Sequence, residues 1–283
     1  LETAVAISLV VIAAAIVVSY WKGISFSIIA SIACVVVYMI MIATDTISSM
    51  AFAPRDLTDP GRLYTILTSM FAHSELNMWH LIYNVLVLIM IGLAFEQRIA
   101  TRQFVLLYLL SGLVGTLTFA AIRWNDPAAV VGASGAIMGI LGGFARLYPR
   151  ERMSMFVGFV PLPPMPIWVI AVILIGLQFL FVGTNIAIES HLGGMLAGLL
   201  LAPLIVRMRK TKRGKRRISL VAISKLAVTP ELKSILNRIM KEEVAEVRGA
   251  WIEHFLVRAR CPRCGARIRI EDDSVICERG HVV

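Results

Sequence analysis

Three short stretches of this chain set side chains able to move protons at the edges of long apolar runs. Gly132-Ala133-Ser134-Gly135 places a serine between glycines at the head of a run of small and aliphatic residues. His80-Leu81-Ile82-Tyr83-Asn84 puts an imidazole and a carboxamide one helical turn apart, on one face. Ser190-His191-Leu192-Gly193-Gly194 adds a second imidazole. Taken singly, each has an ordinary explanation: a capping serine, a satisfied core histidine, an asparagine bonding between helices. Taken together they supply what amide hydrolysis needs. Ser134 is a nucleophile, His191 a base to take its proton, and Asn84 with His80 the donors for an oxyanion.

The elements that must position these groups follow from composition. Hydrophobic residues make up 58% of the 283 and charged residues only 16%, where a soluble domain carries about 25% charged; mean hydropathy is +0.80. The chain therefore reads as a polytopic membrane protein, in which polar side chains at membrane depth are costly and seldom idle. Its net charge of +10 raises the question of nucleic acid. The basic residues, however, crowd into Arg207–Arg217 after the last apolar run, which is the pattern of a cytoplasmic flank beside anionic lipid, and nucleic acid is set aside as a partner.

A span of about 20 apolar residues crosses a bilayer core, and that rule predicts spans at roughly 3–20, 24–43, 80–97, 103–122, 133–148, 166–183 and 187–206. The first, with Glu2 at its start and no basic leader, reads as a retained helix rather than a signal peptide. The span from 133, short and rich in glycine, reads as central rather than lipid-facing. Alternate connections carry Lys22, then Arg98 and Arg102, then Arg146, Arg150 and Arg152, then the block from Arg207. They predict a multi-pass protein of the cell membrane with the N-terminus outside and the C-terminus cytoplasmic. Under that topology Ser134, His191, His80 and Asn84 all lie a short way below the outer surface. The outer connection from Asp45 to Glu75 mixes many apolar residues with Pro54, Pro60 and Gly61, which suits a segment partly embedded in the outer leaflet.

At these residues the chain resembles the rhomboid intramembrane serine proteases. The family pattern is His-x-x-x-Asn in one helix, Gly-x-Ser-Gly in a second and His followed by small residues in a third. It is met here by His80 to Asn84, Gly132 to Gly135 and His191-Leu192-Gly193-Gly194-Met195-Leu196-Ala197-Gly198. Gly92, Glu96 and the long outer loop match as well. The resemblance, over about residues 24–206, implies a six-helix core and a Ser134–His191 dyad with no third carboxylate. It also implies an oxyanion hole of Asn84, His80 and the Ser134 backbone N–H, and Glu96 as a helix-stabilising carboxylate. It implies single-span membrane proteins as substrates, and no cofactor for catalysis. Where many members carry an aromatic one turn after the serine, this chain has Met138. The spacing Gly194-x-x-x-Gly198 predicts close packing against the glycine-rich face of the Ser134 helix.

Beyond Val206 the character changes. Thr229-Pro230-Glu231 is a cap signal, and apolar residues from Leu232 to Trp251 predict one amphipathic cytosolic helix, packed on its own tail or docked on membrane lipid. Cys261-Pro262-Arg263-Cys264 and Cys277-Glu278-Arg279-Gly280-His281 predict a structural zinc site of Cys3His type, on a side of the membrane where thiols stay reduced. Cys34, alone in a span, reads as a small core residue.

The fold class is thus an all-α polytopic membrane protein: an extra N-terminal transmembrane helix (1–23), a rhomboid-like six-helix catalytic core (24–206), a basic linker with the amphipathic helix (207–258) and a zinc-ribbon-like module (259–283). The alternative function is a non-catalytic membrane adaptor of the same fold that holds transmembrane clients and recruits a protein partner through its tail. A transporter is disfavoured, because the chain has no internal repeat or paired broken helices.

Overall fold

The computed structural model describes residues 2–157, 160–180, 187–207, 220–242, 245–271 and 274–282. The chain divides into two units, Leu1–Arg209 and Lys210–Val283.

In the first unit the helices are α1 (Thr3–Lys22), α2 (Phe26–Thr44), α3 (Met78–Glu96), α4 (Thr101–Ile122) and α5 (Ser134–Leu147). A hairpin of β1 (Arg152–Val157) and β2 (Val160–Pro166) precedes α6 (Ile167–Leu180) and α7 (Ile188–Arg207). Every run marked as a span is a helix, with ends moved by a residue or two where both are described. The turn Gly183-Thr184-Asn185, expected on the outer side, and the basic block after Arg207 fall beyond the described residues.

Five helices, α1 to α4 and α7, are long and apolar enough to cross a membrane, while α5 and α6 have 14 residues each. Fourteen residues rise about 21 Å against a hydrocarbon core of about 30 Å. With the Arg146 end of α5 at one boundary, Ser134 at the other end is recessed below the opposite one. The lipid-facing side of α7 is a stripe of exposed Leu192, Leu196, Leu200 and Leu204 at four-residue spacing, and its other side carries small residues.

Those small residues decide the packing. A side chain at Gly194 would run into the carbonyl of Gly135, and one at Gly198 into the carbonyl of Gly139. The backbones of α5 and α7 therefore touch, as the glycine spacing predicts. At the head of α7 the Ser190 carbonyl and hydroxyl sit against Gly115 of α4 and Gly135 of α5.

The long connection from α2 to α3 has single-turn helices and a polar core of its own. Asp56 accepts from the Ala53 N–H and the Thr65 hydroxyl at 3.0 Å each and pairs with Arg62 at 3.3 Å. Arg62 reaches the carbonyls of Ser48, Ser49 and Ala51. The loop also grips the strand leading into α5. Phe52 exchanges backbone hydrogen bonds with Val130 (3.1 and 2.8 Å), and the Gly132 N–H donates to the Ser69 carbonyl at 2.8 Å.

At the other end of the bundle Glu96 is buried and caps α2. Its carboxylate accepts from the Phe26 N–H (2.7 Å), the Ser27 N–H (2.9 Å) and the hydroxyls of Ser25 and Ser27 (2.8 Å each). The N–H groups at a helix start have no partner within the helix, and a negative charge there also meets the positive end of the helix dipole. This is the helix-stabilising role that the resemblance implies.

Two features differ from the sequence reading. The β1–β2 hairpin was not anticipated, because Pro161, Pro163, Pro164 and Pro166 argue against a strand; it pairs Met153 with Met165 and Met155 with Leu162 across a register shift. In the second unit the segment read as one amphipathic helix is two, Pro230–Lys241 and Ala245–Arg258, which follow a short helix, Leu220–Leu226. The cap at Thr229 is present, its hydroxyl accepting from the Leu232 N–H at 3.2 Å. The helix stops at Glu242, which is extended. A single rod would leave its apolar face uncovered. Broken in two, the segment buries Leu232, Ile235 and Ile239 together with Phe255, Leu256 and Val275. Val275 belongs to a second hairpin, Ile268–Glu271 with Ser274–Cys277.

Glu96 generates a stability prediction. Glu96→Ala strands the donors at the start of α2 and should lower unfolding free energy by about 3 kcal/mol or more, with Glu96→Gln intermediate. Thermal unfolding in detergent checks the order; an Ala variant as stable as the parent would contradict it.

Candidate functional site

Ser134 is the first residue of α5, and its hydroxyl and His191 Nε2 are hydrogen-bonded at 2.6 Å. The two residues, 57 positions apart, meet because the glycine contacts press α7 onto α5 just below them. Ser134 is half-buried and His191 buried. A hydroxyl and an imidazole within hydrogen-bond reach are the arrangement that activation of a hydroxyl requires.

The approach to Ser134 is shaped by Gly132, which has a φ of 126°, a conformation that a side chain disfavours. A Cβ there would also stand 2.7 Å from His80 Nε2 and 3.5 Å from Ser134 Oγ. The imidazole of His80 and the hydroxyl of Ser134 thus border the same glycine. His80 Nδ1 faces the Ser74 N–H at a long 3.5 Å, which leaves Nε2 to carry the proton on the Gly132 side. Asn84 is buried and donates one amide hydrogen to the His80 carbonyl at 2.7 Å, its second remaining for another acceptor. The N–H groups in the first turn of α5 lack helical acceptors and suit an anion. Ser134, His191 and His80 are therefore brought together around the head of α5, and Asn84 is tied to His80 one turn further along α3. The tightest link is Ser134 with His191; no hydrogen bond joins Asn84 to Ser134 among the described residues.

Two neighbours were not singled out from sequence. Gln178 of α6 is buried, and its Oε1 accepts from His191 Nδ1 at 2.7 Å. Its amide donates to the Leu174 carbonyl at 3.0 Å and lies 4.0 Å from Met138 Sδ. The available signal was a lone polar side chain in the apolar run Ile167–Leu180. His73, in the loop, stacks at a tilt 5.2 Å from His80 and bonds the Phe71 carbonyl at 3.0 Å. Burial and the neighbouring His80 push its imidazole down to about 3, so it is neutral.

At the C-terminal end of α4, Arg123 pairs with Glu189 at 2.8 Å and Asp126 at 3.0 Å. This latch holds the start of α7 two residues before His191, although exposed pairs of this kind contribute little to stability.

The second unit holds the other predicted cluster. The ligand atoms of Cys261, Cys264, Cys277 and His281 lie within 4.8 Å of one another. Cys264 and Cys277 sulfurs are 3.7 Å apart, and His281 Nδ1 is 3.3 Å from Cys264 Sγ and 3.5 Å from Cys277 Sγ. Tetrahedral coordination with Zn–S bonds of about 2.3 Å separates sulfurs by about 3.8 Å, so three thiolates and one imidazole nitrogen fit a zinc ion. The 3.7 Å separation is far beyond a disulfide bond of about 2.05 Å.

A family model described as the rhomboid domain matches residues 60–208, a stretch that holds His80, Asn84, Ser134, Gln178 and His191 and excludes the metal cluster. Among curated proteins the chain is 30% identical over 188 residues to rhomboid protease GluP of Bacillus subtilis (strain 168), covering 66% of this chain and 35% of that protein. It is 32% identical over 140 residues to rhomboid-like protease 3 of Toxoplasma gondii, covering 50% and 51%. It is 28% identical over 158 residues to rhomboid protein 1, mitochondrial, of Saccharomyces cerevisiae (strain ATCC 204508 / S288c), covering 54% and 44%. The matches thus span between 35% and 51% of these relatives' own lengths. With its multiple membrane-spanning helices and more than half its length matched by the domain, the chain belongs to the rhomboid family.

Proposed function

We propose that this chain is an intramembrane serine endopeptidase that hydrolyses peptide bonds in or near transmembrane segments of membrane proteins. The observation that carries the reading is the 2.6 Å hydrogen bond between the Ser134 hydroxyl and His191 Nε2 at the head of a short helix, in a family whose relatives include named proteases.

As His191 Nε2 takes its proton, Ser134 Oγ attacks the scissile carbonyl. The negative charge that develops on the carbonyl oxygen meets the Ser134 backbone N–H, the His80 Nε2–H and the free amide hydrogen of Asn84. The imidazolium then returns its proton to the leaving amine. Water activated by the same nitrogen hydrolyses the acyl-enzyme. A helical substrate must unwind locally first, since its amides are held in its own hydrogen bonds. No cofactor enters these steps. Lipid surrounds the exposed apolar faces, with the N-terminus outside and the tail cytoplasmic. The core of residues 24–206 is the catalytic module, and residues 259–283 form a structural zinc module in the tail.

Detergent-solubilised protein incubated with a single-span model substrate tests the chemistry. Ser134→Ala and His191→Ala should each abolish nearly all cleavage. Asn84→Ala should lose about 3 kcal/mol of transition-state stabilisation, roughly a hundredfold in rate. Cleavage that survives Ser134→Ala would overturn the assignment, and a wild-type chain that leaves the substrate whole would favour the adaptor. Orientation is checked in intact cells: an impermeant thiol reagent should label a cysteine placed at Asn125 and miss one at Thr211. For the tail, elemental analysis should find about one zinc per chain, lost on Cys264→Ser, while cleavage in detergent persists. Metal-free wild-type protein would contradict the zinc reading.

A further inference from the structure

Gln178 is the one polar side chain of α6, whose sequence is otherwise aliphatic and aromatic apart from Gly176. A buried carboxamide without partners costs free energy, so its presence calls for bonds at both ends. Both ends are bonded, and the two bonds have forced directions. The Leu174 carbonyl can only accept, so the group facing it at 3.0 Å is the Gln178 amide nitrogen. That turns Oε1 toward His191 Nδ1 at 2.7 Å. Oε1 can only accept as well, so Nδ1 carries the hydrogen. The neutral ring then has a bare Nε2, the atom that stands 2.6 Å from the Ser134 hydroxyl.

From this chain of donors and acceptors we infer that Gln178 is a positioning residue for His191. It fixes the tautomer and the rotation of the ring so that Nε2 is ready to take the serine proton, and its carbonyl dipole stabilises the imidazolium that results. The inference rests on the proteolytic reading above and adds to it. The dyad has a third, neutral member delivered by a different helix, so α5, α6 and α7 each supply one group. A carboxamide cannot take the proton from Nδ1, so proton transfer still ends at His191. Met138, one turn after Ser134, has its sulfur 4.0 Å from the Gln178 amide nitrogen. It thus packs against the group that orients the ring.

The test separates orientation from packing. Gln178→Leu and Gln178→Met keep the bulk and remove the acceptor; Gln178→Glu keeps an acceptor at the same reach. Cleavage of a single-span substrate, normalised to serine sites titrated by a fluorophosphonate, should lose at least about tenfold in kcat for Leu and Met with KM unchanged, and Glu should recover most of it. Nitrogen-15 spectra of histidine-labelled protein, with His191 assigned by its loss in His191→Ala, should show a protonated Nδ1 and a bare Nε2 in the wild type and a tautomer mixture in Gln178→Leu. The spectra need no substrate, so an inert wild type would defeat the proteolytic reading while the ring's state still tests this one. A Leu variant with wild-type kcat and an unchanged tautomer, or one in which KM alone rises, would overturn the inference.

Discussion

The contact on which this structure depends is backbone against backbone. Gly135 and Gly139 of α5 face Gly194 and Gly198 of α7 with no room for a side chain between them. Among apolar helices in lipid, the hydrophobic effect gives little reason to choose one neighbour over another, and close van der Waals approach does the choosing. Here that approach sets the separation of two polar atoms 57 residues apart in the chain. The head of α7 is wedged by Ser190 against Gly115 and Gly135, and the Gly132 N–H ties the strand before Ser134 to the Ser69 carbonyl. Bulk added at Gly194 or Gly198 would push α7 off α5 and move the base away from the hydroxyl.

A second constraint is the cost of polar groups without partners in an apolar setting. The chain meets it with a few side chains that each satisfy several groups. Glu96 closes the start of α2 with four accepted hydrogen bonds. Asp56 and Arg62 organise the long loop between α2 and α3, and Gln103 donates to the carbonyls of Ile205 and Val206 near the end of α7 at 3.2 Å each. Gln178 bonds to Leu174 and His191. Asp56, Glu96, Gln103 and Gln178 are all buried.

Much of this was legible in the sequence because membrane depth makes polar residues conspicuous. Ser134, His191, His80 and Asn84 stood out against long apolar runs, the spans followed from length and hydropathy, and the glycine spacing announced the α5–α7 contact. Gln178 was equally conspicuous in its run but matched no expected role, since only the folded chain puts α6 beside His191. The β1–β2 hairpin was hidden by its prolines. The two tail helices were merged because their apolar positions continue across Glu242; the break became visible only with the core that Phe255 and Val275 complete. The metal cluster was readable from ligand type and spacing, but the choice of Nδ1 of His281 as the facing atom was not.

The central claim is that Ser134 is a nucleophile made reactive by His191. Its most direct measurement is covalent: treat the solubilised protein with a fluorophosphonate, digest it and locate the adduct by peptide mass spectrometry. The account predicts one adduct, on Ser134, which His191→Ala suppresses while the protein stays folded. An adduct on a different serine, or labelling of Ser134 at the same rate without His191, would contradict it.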